Sequence, residues 1–265
     1  MPSRQEVAKV RPPVQFSVAE TMIQVNIRDF PQLSREIRRR LGAGHGFALA
    51  TLNLDHLVKI GADPAFARAY AAQDLVVADG NPIVALSRLA GRPVSLLPGS
   101  DLIAPLCRLA AAEGVAVALV GSDAATLARS AETLASDIPG LRIALRHAPP
   151  MGFDPDGAEA GALLARLAAS DARLCFLALG APRQERLAAR GRVLAPGVGF
   201  VSIGAGLDFI ARRQRRAPAW LRRLALEWLW RAAHDLRRLG PRYARCFAIL
   251  PGQIARALRL RLTRR

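Results

Sequence analysis

The sequence has few cysteines and no long apolar run. Its three cysteines, Cys107, Cys175 and Cys246, lie far apart and form no C-x-x-C pair. This excludes a zinc ribbon and a disulfide scaffold and suits a reducing compartment. No stretch of 18 consecutive apolar residues occurs, and no apolar signal segment follows Met1. We therefore expect a protein inside the cell that is soluble or peripheral to a membrane.

Several common catalytic and cofactor motifs are also missing. The sequence contains no G-x-G-x-x-G fingerprint, P-loop, G-x-S-x-G elbow or Cys–His signature, so dinucleotide, ATP and covalent-hydrolase interpretations gain no support. The four histidines, His45, His56, His147 and His234, have no metal-ligand spacing. We expect neither a cofactor nor a bound metal.

Positive charge is abundant but unevenly distributed. The chain has 38 Lys and Arg against 21 Asp and Glu, a net charge of +17. The segment from Arg212 to Arg265 holds 16 arginines against Glu227 and Asp235, and so carries about +14 of that charge. The preceding residues are almost neutral. This distribution predicts a balanced globular body with a basic appendage that faces a polyanionic partner.

Short apolar runs alternate with helix-length amphipathic segments through the body. These runs do not alternate polar with apolar residues, which is typical of strands buried on both faces. The expected strands are Phe47–Asn53, Leu75–Ala78, Val115–Val120, Leu141–Leu145, Leu174–Leu179 and Phe200–Ile203, preceded by a strand near Met22–Ile27. The pattern predicts an α/β fold: a Rossmann-like, mostly parallel sheet flanked by helices.

Charge and pattern together divide the chain into three regions. Residues 1–21 form an N-terminal extension, residues 22–211 the α/β core, and residues 212–265 an Arg-rich amphipathic C-terminal appendage. We find no internal repeat and no low-complexity linker.

Glycines follow several of the expected strands. Gly121 follows one strand, Gly180 another, and Gly204-Ala205-Gly206 a third. Ligands of open parallel sheets lie beyond the carboxyl ends of strands, where glycine lets the backbone approach a phosphate. Taken alone, each glycine favours a simple tight strand–helix turn over a ligand contact. Three such turns in one sheet favour a nucleotide-type pocket that includes Gly121, Gly180, Gly204 and Gly206.

Polar residues follow two strands where a plain sheet would not need them. One group is the segment from Thr51 to His56, which includes Asn53, and the other is Asp79 with the helix expected from Pro82. A carboxylate at Asp79 is suited to general-base chemistry. The alternative is that Asp79 caps the following helix.

Two further polar groups allow two interpretations each. Gln184 and Glu185 can contact sugar hydroxyls or an anion, or they can be ordinary first-turn helix residues favoured by the macrodipole. The pair Asp154 and Asp156 has the D-x-D spacing that holds a divalent metal against a diphosphate. The intervening Pro155 and the following Gly157 favour a surface turn instead.

The appendage is predicted to contain an amphipathic helix from Ala217 to Leu239, stopped by Gly240-Pro241. Tryptophan and leucine fall mainly on one side of this helix and arginine on the other. Such a helix can lie in an anionic membrane interface or dock on the body. Docking does not explain why arginine continues to Arg265.

These residues together resemble the WecG/TagA/CpsF family, glycosyltransferase family 26, over about Met22 to Tyr243. The order and spacing of the matching pieces make the resemblance specific. They are Thr51-Leu52-Asn53, Ala78-Asp79-Gly80, Pro98-Gly99-Ser100-Asp101-Leu102, Pro149-Pro150-Met151-Gly152-Phe153, Gly180-Ala181-Pro182-Arg183-Gln184-Glu185, Gly204-Ala205-Gly206-Leu207-Asp208, Arg216-Ala217-Pro218-Ala219-Trp220, Glu227-Trp228-Leu229-Trp230-Arg231 and Pro241-Arg242-Tyr243.

The resemblance implies an inverting, metal-independent transfer of a sugar, often N-acetylmannosamine or its uronic acid. The donor is a UDP-sugar and the acceptor an undecaprenyl-diphosphate-linked saccharide, at the cytoplasmic face of the membrane during cell-surface polysaccharide synthesis. It implies that Asp79 is the catalytic base and that Thr51, Asn53 and Gln184 line the pocket. C-terminal arginines, with Arg212, Arg215, Arg216 and Arg222 as candidates, would contact a diphosphate.

One position departs from the family pattern. Members often carry an arginine shortly before the V-x-G-x-D-L segment, and Leu96 occupies that position here. Either Arg92 or a tail arginine replaces it, or donor recognition differs.

Two other functions remain open. The Arg-rich tail fits a nucleic-acid backbone electrostatically, but aromatic residues make up only 5 % and no nucleic-acid-binding motif occurs, so we expect no nucleic-acid partner. The chain can also be a UDP-sugar transferase with a soluble acceptor, whose tail forms a homo-oligomer interface.

Overall fold

The computed structural model describes residues 13–211, 213 and 236–263. The strands within these residues are β1 (Val14–Val18), β2 (Thr21–Val25), β3 (Phe47–Leu52), β4 (Leu75–Ala78), β5 (Ala116–Gly121), β6 (Ile143–His147), β7 (Ala172–Ala178) and β8 (Gly199–Ser202). The helices are α1 (Phe30–Gly42), α2 (Leu54–Ala62), α3 (Pro64–Ala71), α4 (Asn81–Leu89), α5 (Gly99–Ala112), α6 (Ala124–Asp137), α7 (Ala158–Ala168), α8 (Arg183–Leu194), α9 (Gly206–Ile210) and α10 (Leu236–Leu262).

Six strands form one parallel sheet in the order β4-β3-β8-β7-β5-β6. The strand β3 lies between β4 and β8, with Leu52 opposite Ala78 and Leu49 opposite Val201. All six strands predicted from the apolar runs are present, and the α/β fold class is confirmed. Because every pair is parallel, the carboxyl ends of all six strands meet at one edge of the sheet.

Both faces of the sheet are covered by helices. Successive residues of a strand point to opposite faces. Leu49 accordingly belongs to the apolar cluster covered by α1, α5, α6 and α9, whereas Ala48 belongs to the cluster covered by α7 and α8. A third apolar cluster joins β3 and β4 to α2, α3, α4 and the hairpin. This two-sided burial explains why the strand sequences are continuously apolar.

The strand β1 and the helices α2 and α9 were not expected from the sequence. The antiparallel hairpin formed by β1 and β2 begins at Val14, within the segment predicted as an N-terminal extension. The helix α2 begins directly after β3, because Asn53 accepts a hydrogen bond from the backbone N–H of His56 and so caps it. The division into extension, core and appendage stays a prediction.

The C-terminal helix α10 packs on α2, α4 and the hairpin. Cys246 and Ala257 are buried in the third cluster, and Gln253 Nε2 donates to the carbonyl oxygen of Ser17 at 3.0 Å. Within the described residues, no helix has the length and apolarity that crossing a membrane requires.

The expected stop at Gly240-Pro241 was wrong, because α10 runs through both residues to Leu262. A proline inside a helix lacks an N–H and crowds the carbonyl four residues earlier, at a cost of about 3 kcal/mol. The packing of α10 on the body offsets that cost. The remainder of the helix expected from Ala217 to Leu239, residues 217–235, lies outside the described residues.

The loop before β4 contains an ionic cluster centred on Asp74. Its carboxylate accepts the N–H of the buried Ala48 at 2.8 Å and pairs with Arg192 at 2.6 Å and Arg40 at 3.3 Å. The cluster joins α1, β3, β4 and α8 at the amino edge of the sheet.

We expect Asp74→Ala to lower the free energy of unfolding by about 2 kcal/mol, because the N–H of Ala48 would remain buried without an acceptor. Urea unfolding measures this loss. The matched control is Asp171→Ala, since Asp171 is exposed and 3.8 Å from Arg142, and should change stability by less than about 0.5 kcal/mol. Equal effects of the two substitutions would contradict the role of Asp74.

Candidate active site at the carboxyl edge of the sheet

A glycine with positive φ ends β5, and one also follows β4, β7 and β8 within two residues. The residues and angles are Gly80 at 108°, Gly121 at 112°, Gly180 at 70° and Gly204 at 56°. Gly121 also needs the absence of a side chain, since a Cβ there would lie 2.4 Å from the carbonyl oxygen of Ala178. These turns let the chain reverse sharply at the edge of the sheet.

Asp79 lies at this edge, directly after β4 and beside β3. Its N–H donates to the carbonyl oxygen of Leu52 at 2.7 Å, and its side chain is half-buried. The N-cap residue of α4 is Gly80, so the alternative that Asp79 is the cap of this helix was wrong. Burial is the main cause of the raised pKa of Tyr70, and the charges of Glu185 and Asp79 add to it.

Thr51 and Asn53 lie on the neighbouring strand end. Thr51 is buried, and its Oγ1 donates to the carbonyl oxygen of Ser202 at 3.5 Å. Asn53 Oδ1 accepts the His56 N–H at 3.0 Å, and its Cβ lies 3.7 Å from where a Cβ on Gly80 would be. The structure therefore brings the Asn53 and Asp79 turns together, and each of the two predicted pocket residues also has a structural bond.

Gln184 and Glu185 are buried in the first turn of α8. Gln184 Oε1 accepts the Gly204 N–H at 3.0 Å, and its Nε2 donates to Glu185 Oε1 at 2.8 Å. Burial raises the pKa of Glu185 to about 7, although the bond from Gln184 opposes this shift. The Gln184 side chain thus joins the start of α8 to the turn after β8, and Glu185 holds the Gln184 amide in place. A direct contact of either one with a sugar stays a prediction.

A buried pair, His56 and Tyr70, lies beneath the same edge and was not singled out by the sequence reasoning. His56 Nδ1 is 3.2 Å from the Tyr70 hydroxyl, and burial lowers the pKa of His56 to about 3. Burial, followed by the charges of Glu185 and Asp79, raises the pKa of Tyr70. The sequence offers one indication of where His56 lies: it follows Asn53 by three residues, the spacing at which an N-cap side chain bonds a helical N–H. Nothing in the sequence links His56 to Tyr70.

A cleft of about 460 Å³ opens between the ends of β5 and β7. The chain leaves β5 towards β6 and leaves β7 towards β8 on the opposite side, and such a divergence is where open α/β sheets bind ligands. The lining residues are Ser122, Asp123, Ala124, Ala148, Pro149, Pro150, Met151, Phe153, Ala178, Leu179 and Arg183. Most of the lining side chains are apolar. The polar groups are the hydroxyl of Ser122, the carboxylate of Asp123 and the guanidinium of Arg183.

Polar contacts order two sides of this cleft. Ser122 Oγ donates to Asp208 Oδ1 at 2.9 Å, and Arg183 Nη2 donates to the carbonyl oxygen of Leu179 at 2.9 Å. Arg213, an arginine that the sequence reasoning did not single out, pairs with Asp123. A C-terminal cation therefore reaches the rim of the cleft.

The remaining predicted residues are placed as follows. Gly206 packs against α5, since a Cβ there would lie 2.6 Å from Ile103 Cδ1. Arg92 Nη1 donates to the carbonyl oxygen of Pro13 at 2.8 Å, and Leu96 forms an isolated bridge with Ala78. The four arginines proposed for diphosphate contact lie outside the described residues: Arg212, Arg215, Arg216 and Arg222.

The D-x-D segment is a surface turn, as its sequence favoured. Asp154 and Asp156 are exposed, and Asp154 Oδ1 accepts the Asp156 N–H at 3.0 Å. Asp156 pairs with Arg186. Across the described part of the chain, no three His, Cys, Asp or Glu side chains cluster as a metal site would require. Metal independence stays a prediction.

The fold and this edge define a parallel α/β protein of the kind that binds ligands beyond its strand ends. The sequence pattern of the glycosyl transferase WecG/TagA/CpsF family matches residues 20–265. The chain belongs to this family, which confirms the resemblance seen in its motifs.

A relative from Bacillus spizizenii, named N-acetylglucosaminyldiphosphoundecaprenol N-acetyl-beta-D-mannosaminyltransferase, is 30 % identical over 170 residues. The matched part covers 64 % of this chain and 64 % of that relative. The match thus spans less than two thirds of each protein.

We expect Glu185→Gln to change how stability depends on pH. The pKa of Glu185 is about 7 in the folded protein against its usual 4.5, so between these pH values the folded protein retains a proton that the unfolded chain releases. The free energy of unfolding of the parent therefore falls as pH rises through this window. In the glutamine variant this side chain does not titrate. The free energy of unfolding of the variant should therefore rise relative to that of the parent as the pH increases from about 4.5 to about 7.

Urea unfolding of both proteins at several pH values measures the difference. His56, whose pKa is lowered, acts in the opposite direction but is common to both proteins. A difference that stays constant across the window would show that Glu185 does not titrate as described.

Proposed function

We propose that the protein is an inverting, metal-independent glycosyltransferase. It moves a hexose, of the N-acetylmannosamine type or another, from a UDP-sugar to an undecaprenyl-diphosphate-linked saccharide in the synthesis of a cell-surface polysaccharide. The observation that carries this proposal is the position of Asp79, half-buried at the carboxyl edge and one strand away from the Thr51–Asn53 turn. Family membership and the relative's printed activity support the reaction class.

Asp79 is the general base in this mechanism. The acceptor hydroxyl gives its proton to the Asp79 carboxylate while its oxygen forms a bond to the anomeric carbon. The bond from that carbon to the diphosphate breaks on the opposite face, and UDP leaves with the electron pair, so the configuration inverts. A positioned base of this kind contributes about 10²- to 10⁴-fold to the rate.

The cleft between β5 and β7 suits the nucleotide donor. Its apolar walls, Pro149, Pro150 and Leu179 among them, can pack against a planar base. Arg183 lines it and Arg213 lies at its rim, where their positive charge can attract the anionic donor. Backbone N–H groups at the glycine turns can stabilise the departing diphosphate. The tail arginines named from the sequence stay candidates for the same role or for gripping the acceptor diphosphate.

The lipid-linked acceptor requires contact with a membrane, and α10 has a suitable face. Ile254, Leu258 and Leu262 recur every four residues and are 38 %, 43 % and 69 % exposed, so they form one stripe. Exposed arginines lie around the helix, Arg259 and Arg261 among them. Apolar side chains flanked by arginine fit the interface of an anionic bilayer. We therefore place the protein at the inner face of the cell membrane.

We expect Asp79→Asn to lower turnover by at least about a hundredfold with the fold intact, because the amide cannot accept the proton. Release of UDP from a UDP-sugar, in the presence of a short-chain prenyl-diphosphate saccharide, measures turnover. The matched control is Asp154→Asn, which changes an exposed carboxylate in a surface turn and should leave turnover unchanged. Near-normal transfer by the Asp79 variant would remove it from the base role.

We expect replacement of Ile254, Leu258 and Leu262 by serine to abolish sedimentation with anionic vesicles, because the variant has no apolar stripe to insert. Val193 and Leu194, exposed at the end of α8, are the control positions for the same change. A variant that sediments like the parent would contradict this membrane face.

Deleting residues 212–265 should abolish vesicle binding and transfer to the lipid-linked acceptor together.

The same assays separate the other two functions. Salt-labile binding to random duplex without vesicle binding would favour a nucleic-acid role. Full activity on a water-soluble acceptor without lipid or diphosphate would favour a soluble transferase.

A further inference from the structure

Asp55 lies between two cations that belong to different parts of the chain. Its side chain is 11 % exposed; Oδ2 is 2.9 Å from Lys59 Nζ on the same helix, and Oδ1 is 3.1 Å from Arg242 Nε on α10. Lys59 is four residues after Asp55, a spacing that puts both side chains on one face of α2. One carboxylate thus joins α2 to the C-terminal helix.

Lys59 extends this connection to the active-site edge. Its Nζ also donates to the carbonyl oxygen of Ala181 at 3.2 Å. Ala181 lies in the loop from Leu179 to Arg183, whose two end residues line the cleft. A continuous series of contacts therefore runs from Arg242 through Asp55 and Lys59 to the wall of the cleft.

The contact between Lys59 and Ala181 depends on the charges of both Asp55 and Arg242. The Asp55 carboxylate offsets both cations, so its loss would leave Lys59 and Arg242 repelling one another. Loss of Arg242 would remove one of the two cations beside Asp55. The Lys59 ammonium group would then shift towards the carboxylate and away from the carbonyl oxygen of Ala181. Either change would weaken the bond from Lys59 to the loop.

We propose that Asp55 is a positioning residue that couples the docking of α10 to the geometry of the Leu179–Arg183 loop. When α10 is docked, Arg242 shares the carboxylate and Lys59 remains directed at Ala181. The C-terminal helix thereby helps to hold one wall of the cleft. The importance of the loop for catalysis rests on the proposed function; the coupling itself does not.

The experiment can alter Arg242 without detaching α10. The helix has independent anchors, namely the buried Cys246 and Ala257 and the bond from Gln253 to Ser17. Arg245 offers a matched control, because it is an exposed arginine one turn away whose Nε donates to the carbonyl oxygen of Pro241 on its own helix.

Hydrogen–deuterium exchange of the full chain tests the coupling. We expect Arg242→Met and Asp55→Asn each to raise amide exchange in a peptide covering residues 179–183 by about fivefold, since the loop would open more often. Arg245→Met should leave that peptide unchanged. Arg242→Lys should restore protection, because the Arg242 Nε contact is an ion pair without hydrogen-bond geometry and depends on charge.

A double variant gives the decisive comparison. In a Lys59→Met background, Arg242→Met should no longer change exchange of the loop, because its connection is already broken. Faster exchange confined to α2 and α10 would overturn the proposal, as would an undiminished effect of Arg242→Met in the Lys59→Met background. The exchange measurements do not require the enzyme to turn over. Their failure is therefore distinguishable from a failure of the glycosyltransferase proposal.

If that proposal holds, Arg242→Met should also raise the KM for the UDP-sugar more than it lowers kcat.

Discussion

Parallel pairing of β3 with β4 and β8 is the constraint on which the site depends. Because the strands run in one direction and are buried on both faces, the chain can present polar groups only where the strands end. Asp79, Thr51 and Asn53 leave the sheet at this edge through short turns, and the left-handed glycines allow those turns. A strand reversed within this sheet would carry its polar end to the opposite edge, where Asp74 holds the structure together.

Beneath this edge lies an unusually polar interior. Gln184 and Glu185 are almost fully enclosed, and His56 and Tyr70 are buried nearby. Within the described part of the chain, Gln73 Oε1, Glu185 Oε2 and Ser202 Oγ have no hydrogen-bond partner, and enclosing such atoms costs stability. Sites that bind ligands often break the rule that buried polar groups are paired. Glu185, whose pKa is raised by burial, accepts a hydrogen bond from Gln184, and Gln184 in turn binds the N–H of Gly204 in the turn above.

Much of the sheet was predictable, because buried parallel strands are short continuous apolar runs and every expected run became a strand. The carboxyl-edge position of Asp79 followed from the same pattern. The ion pair from Asp55 to Arg242 was not predictable, since it joins residues almost two hundred positions apart. The continuation of α10 through Pro241 was missed for a related reason. Local sequence indicates a break, whereas packing of distant residues such as Ala257 stabilises the helix.

The most direct measurement is a crystal structure of the protein with a UDP-sugar bound. We predict the uracil in the cleft beside the ends of β5 and β7, the diphosphate extending towards the Gly180 and Gly204 turns, and the anomeric carbon within reach of the Asp79 carboxylate. A second groove, of about 330 Å³ and lined by Arg108 and Pro139, lies at the amino edge beside the ends of α5 and α6. A nucleotide bound in that groove, with the carboxyl edge empty, would contradict the account.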